Sequence, residues 1–529
     1  MASFAFNYYK ERIWPSEDYT LAWEVPITWT KDHLSDHQRH ELKFSWDQKG
    51  DELLQYLQDY PGPVEVPAKH AGGSDSAQTA EKPEGPTKLG SSGHGALFAR
   101  LQEFVSAQES LELANNTADG HGEAIQEGAA DLGSKQAILG ESDTSHQIRD
   151  LWKQMTAVPE WVDWKQIERG MDAFHRYSGP LLIGMGYQSL VGGMGSVRAV
   201  ETLTRTSGFS VKNARKRVYE TAQFILQTSR SLEAMRPHGE GVNACLRVRL
   251  LHAAVRQRIR RLAQSHPTYF DEARWGVPIN DLDSIGTICS FSSSLIFDAL
   301  PRQGIFMLPA EIDDLTALWR LIAFYMGTPT EHLATATKSK AVMETLLATE
   351  VEPTDTGRML AQNIITSLVN DPPAYLSEDF IIAETRWLVG NRLGDALHLR
   401  RISLYYRLLV LGQCLFFGTM CYTYRYVLPQ SWDRRRIQRT REFLWKILIE
   451  SKTGLGQPAT FDFVHIPEIG KFTPALTDED RKGEARSHIE LRNAATLVVA
   501  ASCFAFSLYA TQSVVRGLAY WAASQLHVI

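Results

Sequence analysis

The sequence predicts an all-α protein built around one large helical domain. From about residue 151 onward, segments such as MDAFHRY and NACLRVRLLHAAVRQRIRRLAQ place apolar residues three to four positions apart, which is the spacing of a helix with one buried face. Period-2 stretches bounded by turn residues are scarce. The chain has 529 residues, of which 44% are hydrophobic and 22% charged, an ordinary globular composition. We therefore expect roughly ten helices in this domain.

Composition divides the chain into four regions. Residues 1–60 are rich in aromatic side chains and are expected to form a small folded cap. Residues 61–147 are rich in Gly, Pro, Ser and Glu and contain no Trp or Tyr, which predicts a mostly disordered linker. Within it, ALFARLQEFVSAQESLEL has helical spacing and is expected to form a transient helix. Residues 148–430 then hold the helical domain, and residues 431–529 form a C-terminal helical extension.

The C-terminal extension contains a possible membrane segment, residues 493–515, which carries no charge over 23 positions. Arg492 and Arg516 flank it, and Tyr520 and Trp521 follow. About 20 apolar residues span a bilayer, and Trp and Tyr favour its interface. A helix lying in the interface and a buried core helix diluted by Ser, Thr, Asn and Gln are the two alternatives.

Charge and cysteine content narrow the class of protein. A net charge of −6, from 55 basic and 61 acidic residues, provides no global field that would recruit nucleic acid. The five cysteines are scattered and form no CxxC pair, which favours reduced thiols in an intracellular compartment. The first residues lack a basic stretch followed by an apolar run, so no cleaved signal peptide is expected.

The most informative helix is NACLRVRLLHAAVRQRIRRL, which follows an HGEG turn. At 100° per residue, Arg249, His252 and Arg256 fall within about a 60° sector. An imidazole between two guanidiniums suits haem, because the ring nitrogen can bind iron and the cations can pair with the propionates. Without a CxxCH sequence, such a haem b would be held non-covalently. The competing interpretation is a solvated basic face, since Arg247 and Arg258 make the whole helix basic.

Several blocks resemble one known family when they are taken in order. They are VPEWVDWKQIERGMDAFHRY, GYQSLVGGMGSVRAVETLTRTSGF, RVYETAQF, RVRLLHAAVR and VPINDLDSIGT. Together they resemble the domain shared by the rubber oxygenases (latex-clearing proteins) and the fungal endoplasmic-reticulum-bound oxygenase of mycophenolic acid biosynthesis. The resemblance covers about residues 158–327, weakens towards residue 410, and is most specific in RVRLLHAAVR.

The resemblance implies a role for each matching residue. His252 corresponds to the proximal haem ligand, and Arg249 and Arg256 to the arginines that support the haem or its propionates. The remaining matches are Arg217 and Thr221 in the haem pocket, and Glu201 as the distal base. Thr221 has an alternative role as a hydroxyl bonded to its own helical turn, and Glu201 has one as a surface carboxylate.

The function that the resemblance implies is a haem b-dependent oxygenase of an intracellular membrane such as the endoplasmic reticulum. Its partners would be O₂ and a hydrophobic unsaturated substrate, isoprenoid or polyketide-like, cleaved at a carbon–carbon double bond in fungal secondary metabolism. Two positions depart from the family pattern. A further His that the family carries downstream of the haem helix has no match near Gly286 and Thr287, and Glu220 stands where the rubber oxygenases carry a Lys before the pocket Thr. That departure leaves open a second hypothesis, a non-catalytic membrane-associated haem carrier, sensor or scaffold.

Overall fold

A computed structural model confirms the all-α class. It describes residues 2–13, 19–59, 98, 101–106, 143–206, 208–459 and 487–526, with side chains of the last helix as far as Arg516. Within these residues there are nineteen α-helices, several of a single turn, and one two-stranded hairpin. The expected dominance of helices therefore holds, although the helices are more numerous than the sequence indicated.

The elements follow one another in three groups. The N-terminal group comprises α1 Ala2–Ile13, β1 Thr20–Ala22, β2 Val25–Ile27, α2 Asp36–Phe44 and α3 Gln48–Asp59. The central group comprises α4 Asp143–Thr156, α5 Trp164–Arg176, α6 Ser178–Ile183, α7 Val197–Leu203, α8 Val211–Thr228, α9 Glu240–Ser265, α10 Glu272–Trp275, α11 Asp281–Phe291 and α12 Leu300–Arg302. The last group comprises α13 Pro309–Tyr325, α14 Ala336–Thr349, α15 Asp355–Leu368, α16 Glu378–Ala396, α17 Leu404–Tyr422, α18 Gln430–Trp445 and α19 His488–Leu526.

Short helices of other kinds join these elements. Four are π-helices: Gly184–Val191, Leu295–Ala299, Thr423–Val427 and Lys446–Glu450. Three are 3₁₀-helices: Gly192–Gly195, Glu233–Met235 and Glu331–Leu333. The Gly-rich segment between α6 and α7 is thus a π-helix followed by a 3₁₀-helix, so helical backbone continues through it.

The predicted N-terminal cap packs as part of the main core. On α3, Leu57 lies three to four positions after Leu54 and Leu53, and all three are buried, which is the pattern of a helix with one apolar face. They belong to the same hydrophobic cluster as the central helices. Because α3 lies against both α4 and α9, it fixes the surroundings of the helix that carries His252.

Two short parts of the predicted linker, residues 61–147, lie within the described residues, and both are helical. Residues 98 and 101–106 are helical, and Phe98, Leu101 and Phe104 are buried in the main core. The Arg247 guanidinium of α9 lies 4.5 Å from the Phe98 ring centroid, so this helix packs against the central helix and is not a transient element. In addition, α4 begins at Asp143, inside the predicted linker. The other linker residues lie outside the described part of the chain.

The hairpin docks on a kink in a distant helix. Its turn residues Trp23 and Glu24 both have positive φ, 48° and 66°, as a two-residue type I′ turn requires. The Glu24 carboxylate accepts hydrogen bonds from the backbone N–H groups of Asn391 and Arg392, at 3.0–3.2 Å. These groups follow Gly390, which has φ 83° and leaves α16 free to bend there.

Two helices are long and apolar enough to cross a membrane. The first, Leu404–Val427, has mean hydropathy 1.3 with a third of its best window buried, and the second, His488–Arg516, has mean hydropathy 1.7 with none buried. Residues 501–516 are almost entirely exposed, so this segment is not a core helix of the described fold. The first turns of α19 do pack, since Asn493 is buried against Gly412 of α17.

The cysteines agree with the expected reduced state. All five are free; Cys245, Cys289, Cys414 and Cys421 are buried, whereas Cys503 is exposed. Burial raises the pKa of Cys289 to about 12, so this thiol stays protonated and behaves as a small apolar side chain.

Candidate functional site

Helix α9 lies at the centre of the candidate site. It begins after Gly239, where a Cβ atom would lie 2.3 Å from the carbonyl oxygen of Glu233, so the close turn before the helix requires glycine. From there it runs for 26 residues. It packs against α3, α8 and α13, which belong to the N-terminal, central and last groups of elements.

The imidazole of His252 is partly buried in the middle of α9. Among the described residues, no hydrogen-bond partner is found for either ring nitrogen. Burial lowers the pKa of His252 to about 4, the Arg256 and Arg217 guanidiniums act in the same direction, and Asp47 acts against them. The ring is therefore neutral at pH 7 with a nitrogen lone pair available, which is the state that binds iron or zinc.

Arg249 forms a two-pronged ion pair with Asp47, which precedes α3. Its Nε and Nη2 atoms donate to the two carboxylate oxygens at 2.6 and 2.5 Å. Two glycines surround the pair: a Cβ atom on Gly50 would lie 2.3 Å from Asp47 Oδ2, and one on Gly327 would lie 2.6 Å from Arg249 Nε. This geometry is the strong bidentate form of the arginine–carboxylate interaction.

Arg256, one turn beyond His252, is only 1% exposed and is fully engaged. Nε and Nη2 donate to Asp51 at 2.9–3.2 Å, Nη1 donates to the carbonyl of Ile279 at 2.9 Å, and Nη2 also reaches the carbonyl of Asp47. In this structure carboxylates of the N-terminal region occupy the positions foreseen for haem propionates at Arg249 and Arg256. The pairing of these arginines with propionates stays a prediction.

Helix α8 brings three residues that were singled out from the sequence close to α9. Arg217 Nη1 donates to Glu220 Oε2 at 3.0 Å, and Arg217 is near enough to His252 to lower its pKa. Thr221 Oγ1 donates to the backbone carbonyl of Arg217 at 2.9 Å, which is the intrahelical alternative weighed for this hydroxyl. Glu220 is buried, so at this position the chain carries a carboxylate paired with Arg217.

Glu201 is buried on α7 and lies beside a cation. Its Oε2 atom accepts a hydrogen bond from Arg205 Nη1 at 3.1 Å. Arg205 also donates to the carbonyl of Tyr269 at 2.8 Å, and its guanidinium lies 5.1 Å from the Phe270 ring centroid. Because Glu201 is buried and ion-paired, it is not the surface carboxylate of the alternative interpretation. Its role as a distal base stays a prediction.

The structure thus brings together part of the predicted set. His252, Arg217 and Arg256 share one electrostatic environment, to which Asp47 also belongs. Sequence reasoning missed the three residues Asp47, Asp51 and Arg205. Arg205 lies four positions after Glu201, a spacing that pairs opposite charges on a helix and could have revealed it. Asp47 and Asp51 carry no local signal, since they are 202 and 205 positions from their partners.

A surface cavity of about 320 Å³ lies elsewhere, between α5, α13 and the start of α14. Trp161, Gln166, Asp313 and Arg320 are among its lining residues, and none of the predicted site residues lines it. Its walls hold no histidine or cysteine that could bind iron. The chemistry of the chain is therefore better sought at His252 than in this cavity.

Comparison with known proteins finds similarity over the part of the chain that contains the candidate site residues. Residues 174–414 match the family described as "ER-bound oxygenase mpaB/B'/Rubber oxygenase, catalytic domain". A rubber oxygenase of Streptomyces sp. (strain K30) is 24% identical over 269 residues, and the match covers 50% of this chain and 63% of that protein, less than two thirds of its length. A solved structure of latex clearing protein in the closed state is 18% identical with a TM-score of 0.49, covering 76% of this chain and 91% of that one. The matched region includes Glu201, Arg217, Thr221, Arg249, His252 and Arg256. Residues 174–414 of this chain are therefore similar to the catalytic domain of the ER-bound oxygenase mpaB/B'/Rubber oxygenase family.

Proposed function

We propose that the protein is a haem b-dependent oxygenase that cleaves a carbon–carbon double bond of a hydrophobic substrate with O₂. The observation that carries the proposal is the His252 side chain, an imidazole without a hydrogen-bond partner among the described residues, in the middle of a central helix of the family domain. The family description and the rubber oxygenase relative support the class of reaction. Isoprenoid or polyketide-like alkenes are the proposed substrate class, and fungal secondary metabolism is the proposed setting.

The residues present fit haem b through the chemistry of the donor. A neutral imidazole without a hydrogen-bond partner is the usual kind of axial ligand of haem iron. The iron would supply O₂ binding and activation when the haem is bound. In this proposal His252 holds the iron, and Arg217 is the cation beside it on α8. Arg249 and Arg256 support the haem by fixing α9 to Asp47 and Asp51.

The other residues would act on the substrate side. Glu201, held by Arg205, is proposed as the carboxylate that exchanges a proton with the reacting substrate. Thr221 would line the pocket through its methyl group while its hydroxyl stays bonded to Arg217. Glu220, buried against Arg217, would fix the direction of that guanidinium.

A second candidate function, haem carriage or sensing without turnover, is favoured by one observation. The predicted distal acid already has a cationic partner, Arg205, at 3.1 Å. A buried carboxylate in such an ion pair can have a purely structural role as readily as a catalytic one. Oxygen consumption with a long-chain unsaturated lipid separates the two functions, because a carrier would bind haem and consume no oxygen above the rate of free haem.

Haem binding itself is tested by absorption spectroscopy. The purified protein, titrated with haem b, should develop a sharp Soret band at one haem per chain, and His252→Ala should abolish or strongly shift it. His266→Ala is the matched control, because His266 follows the last turn of the same helix and is exposed. A wild-type protein that stays colourless after haem addition would refute the proposal.

We also place the protein at an intracellular membrane, the endoplasmic reticulum. The family description names an ER-bound oxygenase, and α19 offers an exposed apolar segment of sufficient length. Fractionation of cells that express the full chain tests this: the protein should stay with the membrane pellet in high salt. Release into the soluble fraction by salt alone would contradict insertion of α19.

A further inference from the structure

Helix α18 presents a basic and aromatic face to the outside of the protein. Arg434, Arg435 and Arg439 are exposed, and no ion pair is found for any of them within the described residues. Trp432 and Phe443, 52% and 59% exposed, lie on the same side of the helix. At 100° per residue these five positions fall within about half of the helix circumference. Large aromatic side chains left in contact with water beside unpaired cations indicate a binding surface.

The opposite face of α18 is fixed to the fold, so this surface has a defined orientation. Asp433 is buried and accepts hydrogen bonds from Arg176 at the end of α5, at 2.8–2.9 Å. Arg436 Nη2 donates to the carbonyl of Arg176 at 2.8 Å, and the next residue, Ile437, is buried. Breaking a buried charge network of this kind is costly. The exposed arginines are therefore displayed by a rigid helix.

The exposed part of α19 leaves the fold at the end of α17 that leads into α18. Tyr406 lies close to Glu490, and Gly412 lies against Asn493, so α17 and α19 run in the same direction. Arg492 stacks on Phe416 at 4.1 Å from the ring centroid. Beyond residue 500 the side chains of α19 are almost entirely exposed as far as Arg516, so this part of the helix leaves the fold.

The segment that joins α17 to α18 lies at this same end of the molecule. Its residues Tyr426 and Val427 are 50% and 76% exposed. They add apolar surface between the point where α19 leaves the fold and the basic face of α18. The exposed apolar residues Tyr426 and Val427 and the basic face of α18 therefore follow each other along the chain, between residues 426 and 443.

We infer that the face formed by Trp432, Arg434, Arg435, Arg439 and Phe443 docks on the anionic surface of the membrane that α19 enters. The inference rests on the proposed membrane association and adds to it the lipid charge and the side of the fold that meets the lipid. Tryptophan and phenylalanine suit the headgroup region, and arginines attract acidic lipids over about a Debye length. Docking would fix the catalytic domain against the bilayer.

The test compares vesicles of phosphatidylcholine alone with vesicles that contain about 30% phosphatidylserine, a strongly anionic surface. Full chain is diluted from mild detergent into each lipid titration, and the fraction that floats with the vesicles is measured. Wild-type protein should partition more strongly into the anionic vesicles, and salt should remove the difference. The triple variant Arg434→Gln, Arg435→Gln, Arg439→Gln should lose on the order of 100-fold in partitioning into anionic vesicles, because each cation near the surface contributes about fivefold.

A matched control removes three exposed positive charges elsewhere. Lys31→Gln, Lys165→Gln, Arg261→Gln carries the same change in net charge on residues that are also exposed, and it should partition like wild type. Equal partitioning of wild type into both vesicle types would overturn the inference while leaving membrane insertion intact. An equal loss of partitioning in the control variant would overturn the inference too. Binding of wild type to labelled polyglutamate, without a preference for phosphatidylserine vesicles, would assign the face to an acidic protein instead. Failure of wild type to float with either vesicle type would instead reject membrane association itself.

Discussion

The ion pair between Asp47 and Arg249 should couple the N-terminal region to the helix that carries His252, and a double-mutant cycle measures that coupling. Arg249 is buried, both prongs are 2.5–2.6 Å long, and two glycines close around them. Removing the carboxylate leaves a buried guanidinium unpaired, so Asp47→Ala should lower the free energy of unfolding by about 3–5 kcal/mol. Arg249→Ala should cost a similar amount. The double variant should cost less than the sum by about 2 kcal/mol, as expected for residues in direct contact.

The assay is urea denaturation of the haem-free protein followed by far-UV circular dichroism, with Lys49→Ala as a control. Lys49 is exposed and lies between the two aspartates, so its loss should be neutral. Additivity of the two single variants within about 0.5 kcal/mol would refute the coupling. Haem titration of the same four proteins separates two roles of Arg249. If Arg249 only supports α9, haem affinity should fall equally in Asp47→Ala and Arg249→Ala. If Arg249 binds a propionate, only Arg249→Ala should lower haem affinity.

Three further predictions concern other parts of the chain. Burial raises the pKa of Glu384 from its usual 4.5 to about 8. Its contribution to the free energy of unfolding is therefore fully present below pH 4.5 and is lost as the pH rises from 4.5 to 8, by up to about 5 kcal/mol. Glu384→Gln should flatten this pH profile in thermal unfolding, and an unchanged profile would contradict the assignment. Glu201→Gln should keep the haem spectrum and lower oxygen consumption about 10²–10⁴-fold. Thr221→Val removes only the bond of the hydroxyl to its own helical turn, so it should lower the free energy of unfolding by about 1 kcal/mol and change oxygen consumption far less than Glu201→Gln does. Equal activity of Glu201→Gln and wild type would favour the carrier. Ending the chain after Ala500 should release folded protein from membranes, whereas ending it after Glu490 removes the buried Asn493 and should destabilise the fold.

Local spacing predicted the class of fold and the helix that carries His252, because a helix with one buried face reveals itself within two or three turns. The same spacing placed Arg249 and Arg256 on one face with His252, and the structure keeps them there. The spacing did not predict which residues contact that face of α9. Asp47 and Asp51 lie about 200 positions away in a region assigned to a separate cap, and pairing over such a separation depends on tertiary packing alone.

The linker illustrates a second limit of composition. Residues 61–147 have the low aromatic content of a disordered segment, yet Phe98, Leu101 and Phe104 fill the main core. Local spacing indicated this helix, but the average composition of the segment gave no sign that its apolar side chains have a partner surface elsewhere. The missing information was the presence of that surface on α9, where Arg247 lies over the Phe98 ring.

The ion pairs Asp47–Arg249 and Asp51–Arg256 extend the part of the chain that is needed to present His252. A fragment beginning at residue 148 would retain His252, Arg217 and Glu201, and sequence composition alone favours it as the haem-binding domain. It would also leave Arg249 and Arg256 buried without their carboxylates, one on each side of His252 along α9. Because Asp47 opposes the effect of the nearby cations on His252, its loss would make the site more positive as well as less stable. The structural unit that presents His252 therefore includes α3, although the family match begins only at residue 174.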